Sequence, residues 1–234
     1  MKIHFEEINI DSTHILLKTD LKNDIKPVII EQRRIIEEEL LKNQLFGRYE
    51  PSPIINDYKI LRLMTTASQI SDTGPMSSVA GSINEVCLEY LEKYDTKFTI
   101  IENGGDIALK TYKKSFIALF AGNSPYSESL AFKLKAKKNG YGVCTSSGTF
   151  GHSKSFGESD ATIVFAKNAS IADSLATRIG NCANGEDDES IVNNAMENAE
   201  YYREYFDGVM IIKNDMLAKI GHIPKIVKIE GNNY

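Results

Sequence analysis

The chain has 234 residues, 42% of them hydrophobic and 25% charged, with a formal net charge of −5. That length and balance suit a folded globular protein with its own core and exclude wholesale disorder. The acidic balance excludes a general grip on nucleic acid, which needs clustered Lys and Arg. No apolar stretch approaches the roughly 18 residues of a membrane span, and residues 1–10 lack the apolar centre of a signal peptide. Neither nucleic acid nor a membrane is therefore an expected partner. Cys87, Cys144 and Cys182 are widely and irregularly spaced, which excludes a CxxC pair and does not suggest a disulfide framework. A reducing cytoplasm is the expected location.

Taken in chain order, residues 2–10 and 13–19 read as two strands joined by a turn at Asp11-Ser12. Apolar residues recur at helical spacing over residues 25–45. A proline-containing loop, residues 47–58, leads to residues 59–66 and then to a Gly/Ser-rich stretch, 68–81, which passes into a helix ending near Tyr94. Strands follow at 97–102, 106–111 and 115–120, with Gly104-Gly105 as a turn. The second half starts again with strands at 129–135, 142–146 and 161–166. Helices at 171–181 and 190–205 come next, the second with acidic residues at its start, as the helix dipole favours. Segments 208–213 and 225–230 close the chain. Strands grouped with strands and helices with helices predict an α+β fold with antiparallel sheets. A turn-rich join at 122–127 divides it into halves, 1–124 and 125–234, each reading as strands, two helices, strands.

Four segments concentrate chemistry. In residues 72–81, Gly74, Met76, Ser77 and Gly81 crowd the start of a helix, where free amides and the dipole favour an anion; tight helix packing through small residues is the plainer explanation. In residues 102–106, Asn103, Gly104 and Gly105 allow a sharp turn or close approach to a ligand beside Asp106, although a hairpin turn needs the same residues. In residues 142–153, Cys144 precedes Thr145, Ser146, Ser147, Gly148 and Thr149, and His152 follows. Such hydroxyls and amides suit phosphate or ribose, or simply make a polar loop, with Cys144 a buried strand residue. In the fourth, Asp173 and Thr177 lie four apart on one helix face. They suit Mg²⁺, which takes few protein ligands and completes its shell from water and phosphate; otherwise Asp173 caps the helix.

In this order the four segments, read as GPM-SSVAG, ENGGDI, CTSSGTFGHS-SFG-SDAT and AD-LAT-IGN, resemble the ApbE family of FAD:protein FMN transferases. They are closer still to a small ApbE-like family without the lipoprotein signal. The resemblance runs from Met64 to Asn181 and implies a T-fold-like architecture of two ββααββ units with antiparallel sheets. It implies Mg²⁺ held by Asp173 and Thr177, and a nucleotide near Gly104, Gly105 and Asp106. It implies a role in transfer for His152, which follows Ser147-Gly148. The implied cofactor is FAD or FMN, and the implied reaction is attack of an acceptor hydroxyl, on a protein, upon the FAD pyrophosphate. The chain departs from the transferases in having Ala80-Gly81 in place of Lys-Gly, and Ser153-Lys154-Ser155-Phe156 after His152.

Four functions compete on these residues. The first is a Mg²⁺-dependent enzyme acting on FAD or a related nucleotide. The second is a flavin- or nucleotide-binding protein without transfer, consistent with the absent lysine. The third is a sulfur-handling protein of the sulfide-assimilation type using Cys144. The fourth is a homo-oligomer knitted together by the loops. The enzyme reading requires the loops at 104–106 and 144–152 to face one cavity with Asp173.

Overall fold

The structure is a computed structural model, and it describes residues 2–149 and 156–229. Among the described residues eleven strands and five α-helices alternate in grouped blocks: β1 (His4–Ile10), β2 (Thr13–Thr19), α1 (Lys26–Lys42), α2 (Lys59–Ser71), α3 (Val79–Glu92), β3 (Phe98–Asn103), β4 (Asp106–Thr111), β5 (Ser115–Ala118) and β6 (Leu130–Leu134), then β7 (Lys137–Ser146), β8 (Ala161–Ala166), α4 (Ala169–Asn181), α5 (Asp188–Tyr201), β9 (Gly208–Lys213), β10 (Met216–Gly221) and β11 (Lys225–Lys228). Eight of the strands form one sheet in the order β1-β2-β3-β4-β7-β8-β9-β10, and β11-β6-β5 form a second. Every pairing is antiparallel. This is the mixed, antiparallel fold that the grouping of elements predicts.

The large sheet is covered on both sides, and strand alternation divides its residues between two cores. Ala108, Cys144, Val164 and Val209 face the helices and join Ile29, Leu61, Met64, Leu88 and Leu175. Ile107, Val143, Ile163, Phe165 and Met210 face the other way, against Phe132 and Leu134 of the small sheet. All six residues of β8 are buried as a result. A strand covered on both faces reads as a continuous apolar run, which is how Ala161–Ala166 appears in the sequence.

Three elements differ from the sequence expectation. The first half holds three helices, because α2 continues to Ser71 through residues whose composition resembles a loop. Its hydroxyls are absorbed locally: Ser71 Oγ donates to the Ala67 carbonyl (2.8 Å), and Ser68 Oγ to that of Thr73 (2.6 Å). Serines that bond back onto the helix satisfy themselves there and need no loop. The strand expected to open the second half, β6, lies in the small sheet between β5 and β11. The segment between residues 213 and 225 contains β10, which forms one edge of the large sheet.

Helices α3 and α4 position the site. They pack antiparallel, and neither has a capping side chain of its own; each is capped by a carboxylate from the other. Asp173 on α4 accepts from the Gly81 amide in the first turn of α3 (2.8 Å). Glu85 on α3 accepts from the amide (3.0 Å) and hydroxyl (2.8 Å) of Ser170 at the start of α4, and from Asn168 (3.0 Å). A carboxylate at a helix N-terminus satisfies orphan amides and complements the dipole. The exchange therefore locks the two helices in register.

Candidate functional site

The site gathers where the N-terminus of α3, the middle of α4 and the β3–β4 turn meet β7. The turn is a two-residue hairpin: Asn103 pairs with Asp106, and Gly104 and Gly105 take φ of 63° and 101°. Positive φ at both central positions requires glycine-like residues, so the turn accounts for this pair. It places Asp106 at the start of β4, where Asn84 of α3 donates to the Asp106 carbonyl (2.8 Å) and the Thr145 amide donates to its carboxylate (3.3 Å).

Asp106 lies close enough to Asp173 to disfavour its ionisation, and Asp173 is buried while Asp106 is partly so. Burial, with Glu102 adding repulsion, pushes Asp106 up to about 7 against the Thr145 and Cys144 hydrogen bonds that favour its charge. Burial and then Asp106 push Asp173 well above the usual carboxylate range, with the Gly81 amide opposing. Neither carboxylate has a cationic partner among the described residues. Acids whose ionisation is disfavoured in this way, without a counter-cation, hold a proton more readily and favour a cation.

Thr177, one turn beyond Asp173, donates to the Ser77 carbonyl (3.4 Å). Ser77 Oγ in turn meets Thr73 Oγ1 (2.7 Å), which meets Ser71 Oγ (2.7 Å). Gly81 sits so close to α4 that a Cβ would lie 2.4 Å from the Ala169 carbonyl oxygen and 2.8 Å from Asp173 Cβ. Ser146, at the end of β7, brings its side chain against Gly180. The structure thus brings Ser77, Gly81, Asp106, Cys144, Thr145, Asp173 and Thr177 together.

Other predicted residues stand where packing explains them. A Cβ on Gly74 would lie 1.8 Å from the Arg48 carbonyl oxygen, and one on Gly148 equally close to that of Gly157. Met76 is partly buried against the helical core. Ser147 accepts from the Thr149 amide (3.3 Å), and Thr149 donates to Asp160 (2.9 Å). His152 lies outside the described residues.

Cys144 is fully buried, and its thiol donates to the Ala169 carbonyl (3.4 Å). Burial first, then Asp106 and Asp173, push the thiol well above its ordinary value. A nucleophilic thiolate needs an electropositive, partly open setting, and Cys144 has the opposite. The expectation of a sulfur-carrying residue gains nothing from this placement.

The donor set fits a hard cation. Two carboxylates and a hydroxyl are oxygen donors, and Mg²⁺ is commonly held by one or two carboxylates plus water and phosphate. Among the described residues no group of three or more His, Cys, Asp and Glu gathers around a metal position. A cage supplied wholly by such side chains is therefore not what these residues build. A cavity of about 610 Å³ lies elsewhere, toward the N-terminus of α4, lined by Glu85, Leu88, Ala108, Lys137, Tyr141 and Asn168 among others. None of the site residues lines it, so the single shared cavity expected for them is not this one.

Asn84 and Glu85 were missed by sequence reasoning. Both are buried, on the α3 face that also carries Gly81 and Leu88. Polar residues at i+3 and i+4 within an otherwise apolar helical stripe were the available signal.

A family model described as "AbpE bacteria" matches residues 2–201. A "UPF0280 protein" of Methanosphaera stadtmanae is 52% identical over 232 residues, covering 99% of this chain and 95% of that one. One from Methanobrevibacter smithii is 42% identical, with 99% of each covered. Among solved structures, the apo flavinyl transferase ApbE of Pseudomonas stutzeri superposes with a TM-score of 0.59 at 15% identity, covering 94% of both chains. The flavin transferase ApbE of Vibrio cholerae gives 0.55 at 12%, covering 95% and 97%. At such identities the likeness is one of fold. The family match over most of the chain, the archaeal relatives and the shared fold together make this chain a member of the ApbE-like family.

Proposed function

We propose that the protein is a Mg²⁺-dependent flavin-nucleotide enzyme that transfers FMN from FAD to a hydroxyl of an acceptor protein. The observation that carries this reading is the pair of buried Asp173 and half-buried Asp106, without a cationic partner among the described residues and one helical turn from the Thr177 hydroxyl. The family's fold and its flavin-transferase structural neighbours support the choice of ligand. A T-fold-like division into two units, 1–124 and 125–234, belongs to the same reading, with a third helix in the first unit, as does a cytoplasmic location. Among the described residues no helix is long and apolar enough to cross a membrane.

In this reading Asp173 and Thr177 hold the cation, with Asp106 completing the negative wall. A bound Mg²⁺ would supply charge neutralisation for the pyrophosphate oxygens. The acceptor oxygen forms a bond to the FMN-side phosphorus, the anhydride P–O bond breaks, and AMP leaves with the bridging oxygen. The hydroxyl proton passes to His152, whose ordinary pKa near about 6.5 suits the task. The segment from Thr145 to Thr149 and the Gly104-Gly105 turn stand nearest the proposed nucleotide position, although their described amides are engaged within the protein.

Incubation with FAD and Mg²⁺ tests the reading through release of AMP, resolved by chromatography. AMP that appears with Mg²⁺, and is lost with chelator and in Asp173→Ala, supports it. FAD bound with Mg²⁺ but never cleaved, with or without candidate acceptors, would reduce the function to binding alone.

A further inference from the structure

Arg178 follows Thr177 directly, in the last turn of α4. Among the described residues its guanidinium makes one ion pair, Nη2 to Asp72 Oδ2 at 3.5 Å, with the Asp72 side chain 64% exposed. Strong charge-assisted bonds run to about 2.7–2.9 Å, so this is a weak, solvent-screened contact. The adjacent donor, Nε, is buried and has no hydrogen-bond partner among the described residues. A buried donor left unpaired is costly, and for a charged group more so. The helix dipole explains a cation at the C-terminal end of α4, and a packed stem explains partial burial. Neither supplies an acceptor for Nε.

The surroundings point to what that acceptor is. Asp72 ends α2 in the left-handed conformation (φ 54°) and opens the short loop into the 3₁₀ turn at Pro75–Ser78. Thr73 and Ser77 are tied within that loop, and Ser77 is the residue whose carbonyl takes the Thr177 hydroxyl. Arg178 and Thr177 therefore bracket the loop at the start of α3. Nε and Nη2 form one edge of the guanidinium, the fork that meets a phosphate through two parallel bonds. Here that fork is half filled, and by an exposed carboxylate that a bidentate anion could displace.

We propose that Arg178 contacts the ligand directly and grips the phosphate oxygens of a nucleoside diphosphate group through its Nε–Nη2 edge, releasing Asp72. This rests on the flavin-nucleotide function above and deepens it by naming the residue that selects a diphosphate-bearing ligand over a free flavin ring.

Calorimetry with ADP plus Mg²⁺, and separately with riboflavin, tests it on wild type, Arg178→Ala, Arg178→Lys and Asp72→Ala. Loss of a charged, bidentate contact lowers Mg²⁺–ADP affinity by about tenfold to a hundredfold in Arg178→Ala. Arg178→Lys recovers only part, because an ammonium lacks the fork. Asp72→Ala binds ADP as well as wild type or better, and any riboflavin affinity is the same in all four. If wild type binds Mg²⁺–ADP and Arg178→Ala binds it equally, this inference is wrong while the proposed function stands. Equal losses of melting temperature in Arg178→Ala and Asp72→Ala, with ADP affinity unmoved, would likewise reduce the pair to a structural one. If wild type binds neither ADP nor FAD with Mg²⁺, both fall together.

Discussion

The Gly81 amide donates to Asp173 Oδ2 at 2.8 Å, so the carboxylate assigned to the cation also caps the helix opposite. One side chain thereby couples the site to the α3–α4 packing. A methyl group at position 81 would lie 2.4 Å from the Ala169 carbonyl oxygen, against backbone that cannot swing aside. Gly81→Ala should cost about 1–3 kcal/mol, roughly 2–10 °C in melting temperature for a chain of this size. It should weaken Mg²⁺-dependent FAD binding as well. Thermal unfolding and calorimetry on one preparation check both, and an unchanged melting temperature would show that the helices are not in this contact.

Glu85 gives the converse case, a cap remote from the proposed ligand. Glu85→Ala leaves the Ser170 amide and Asn168 without their acceptor, a loss of about 1–3 kcal/mol. Nucleotide affinity at saturating Mg²⁺ should stay within about twofold of wild type. Urea unfolding beside a binding isotherm separates the two effects.

Stability and pH are linked through Asp106. Its pKa rises from an ordinary 3.8 to about 7 in the folded protein. The folded state therefore binds more protons than the unfolded state between those values. Its contribution to stability is fully present below about 4 and is lost as pH rises through about 7. A cation that neutralises the carboxylate pair restores that loss. Mg²⁺ should thus raise the melting temperature more at pH 8 than at pH 5, and Asp106→Asn should flatten the difference. A Mg²⁺ effect independent of pH would break the link between the cation and this pair.

The cysteines separate on burial. Cys87 and Cys144 are buried, and burial pushes the Cys87 thiol up to about 12, whereas Cys182 is partly accessible. Titration of the native protein with a thiol reagent at pH 8 should modify Cys182 first, with the other two reacting only on unfolding. Rapid labelling of Cys144 would revive sulfur chemistry at that position.

Much of this was legible in the sequence because local chemistry and tertiary role coincide there. Gly104-Gly105 reads as a turn between two strands, and the apolar run Ala161–Ala166 reads as a strand. Asp173 and Thr177 fall on one helix face by spacing alone. What could not be read depends on neighbours distant in the chain. The serines near the end of α2 resemble a loop until their hydroxyls are seen bonding to nearby carbonyls. Gly74 and Gly148 suggest ligand contact, yet each is required by a backbone segment pressed against it. Glu85, Asn84 and Arg178 acquire meaning only from partners on other elements, and nothing in their own segments marks those partners.

The central claim is that Asp173 helps hold a cation that binds FAD through its phosphates. Titration of FAD into the protein with Mg²⁺, with chelator, and into Asp173→Ala with Mg²⁺ tests it most directly. The expected result is FAD binding that needs Mg²⁺ and is weakened at least about tenfold in the variant, as loss of a charged ligand predicts, with the variant still folded by circular dichroism. Equal affinity of wild type and Asp173→Ala, or wild-type binding indifferent to chelator, would contradict it.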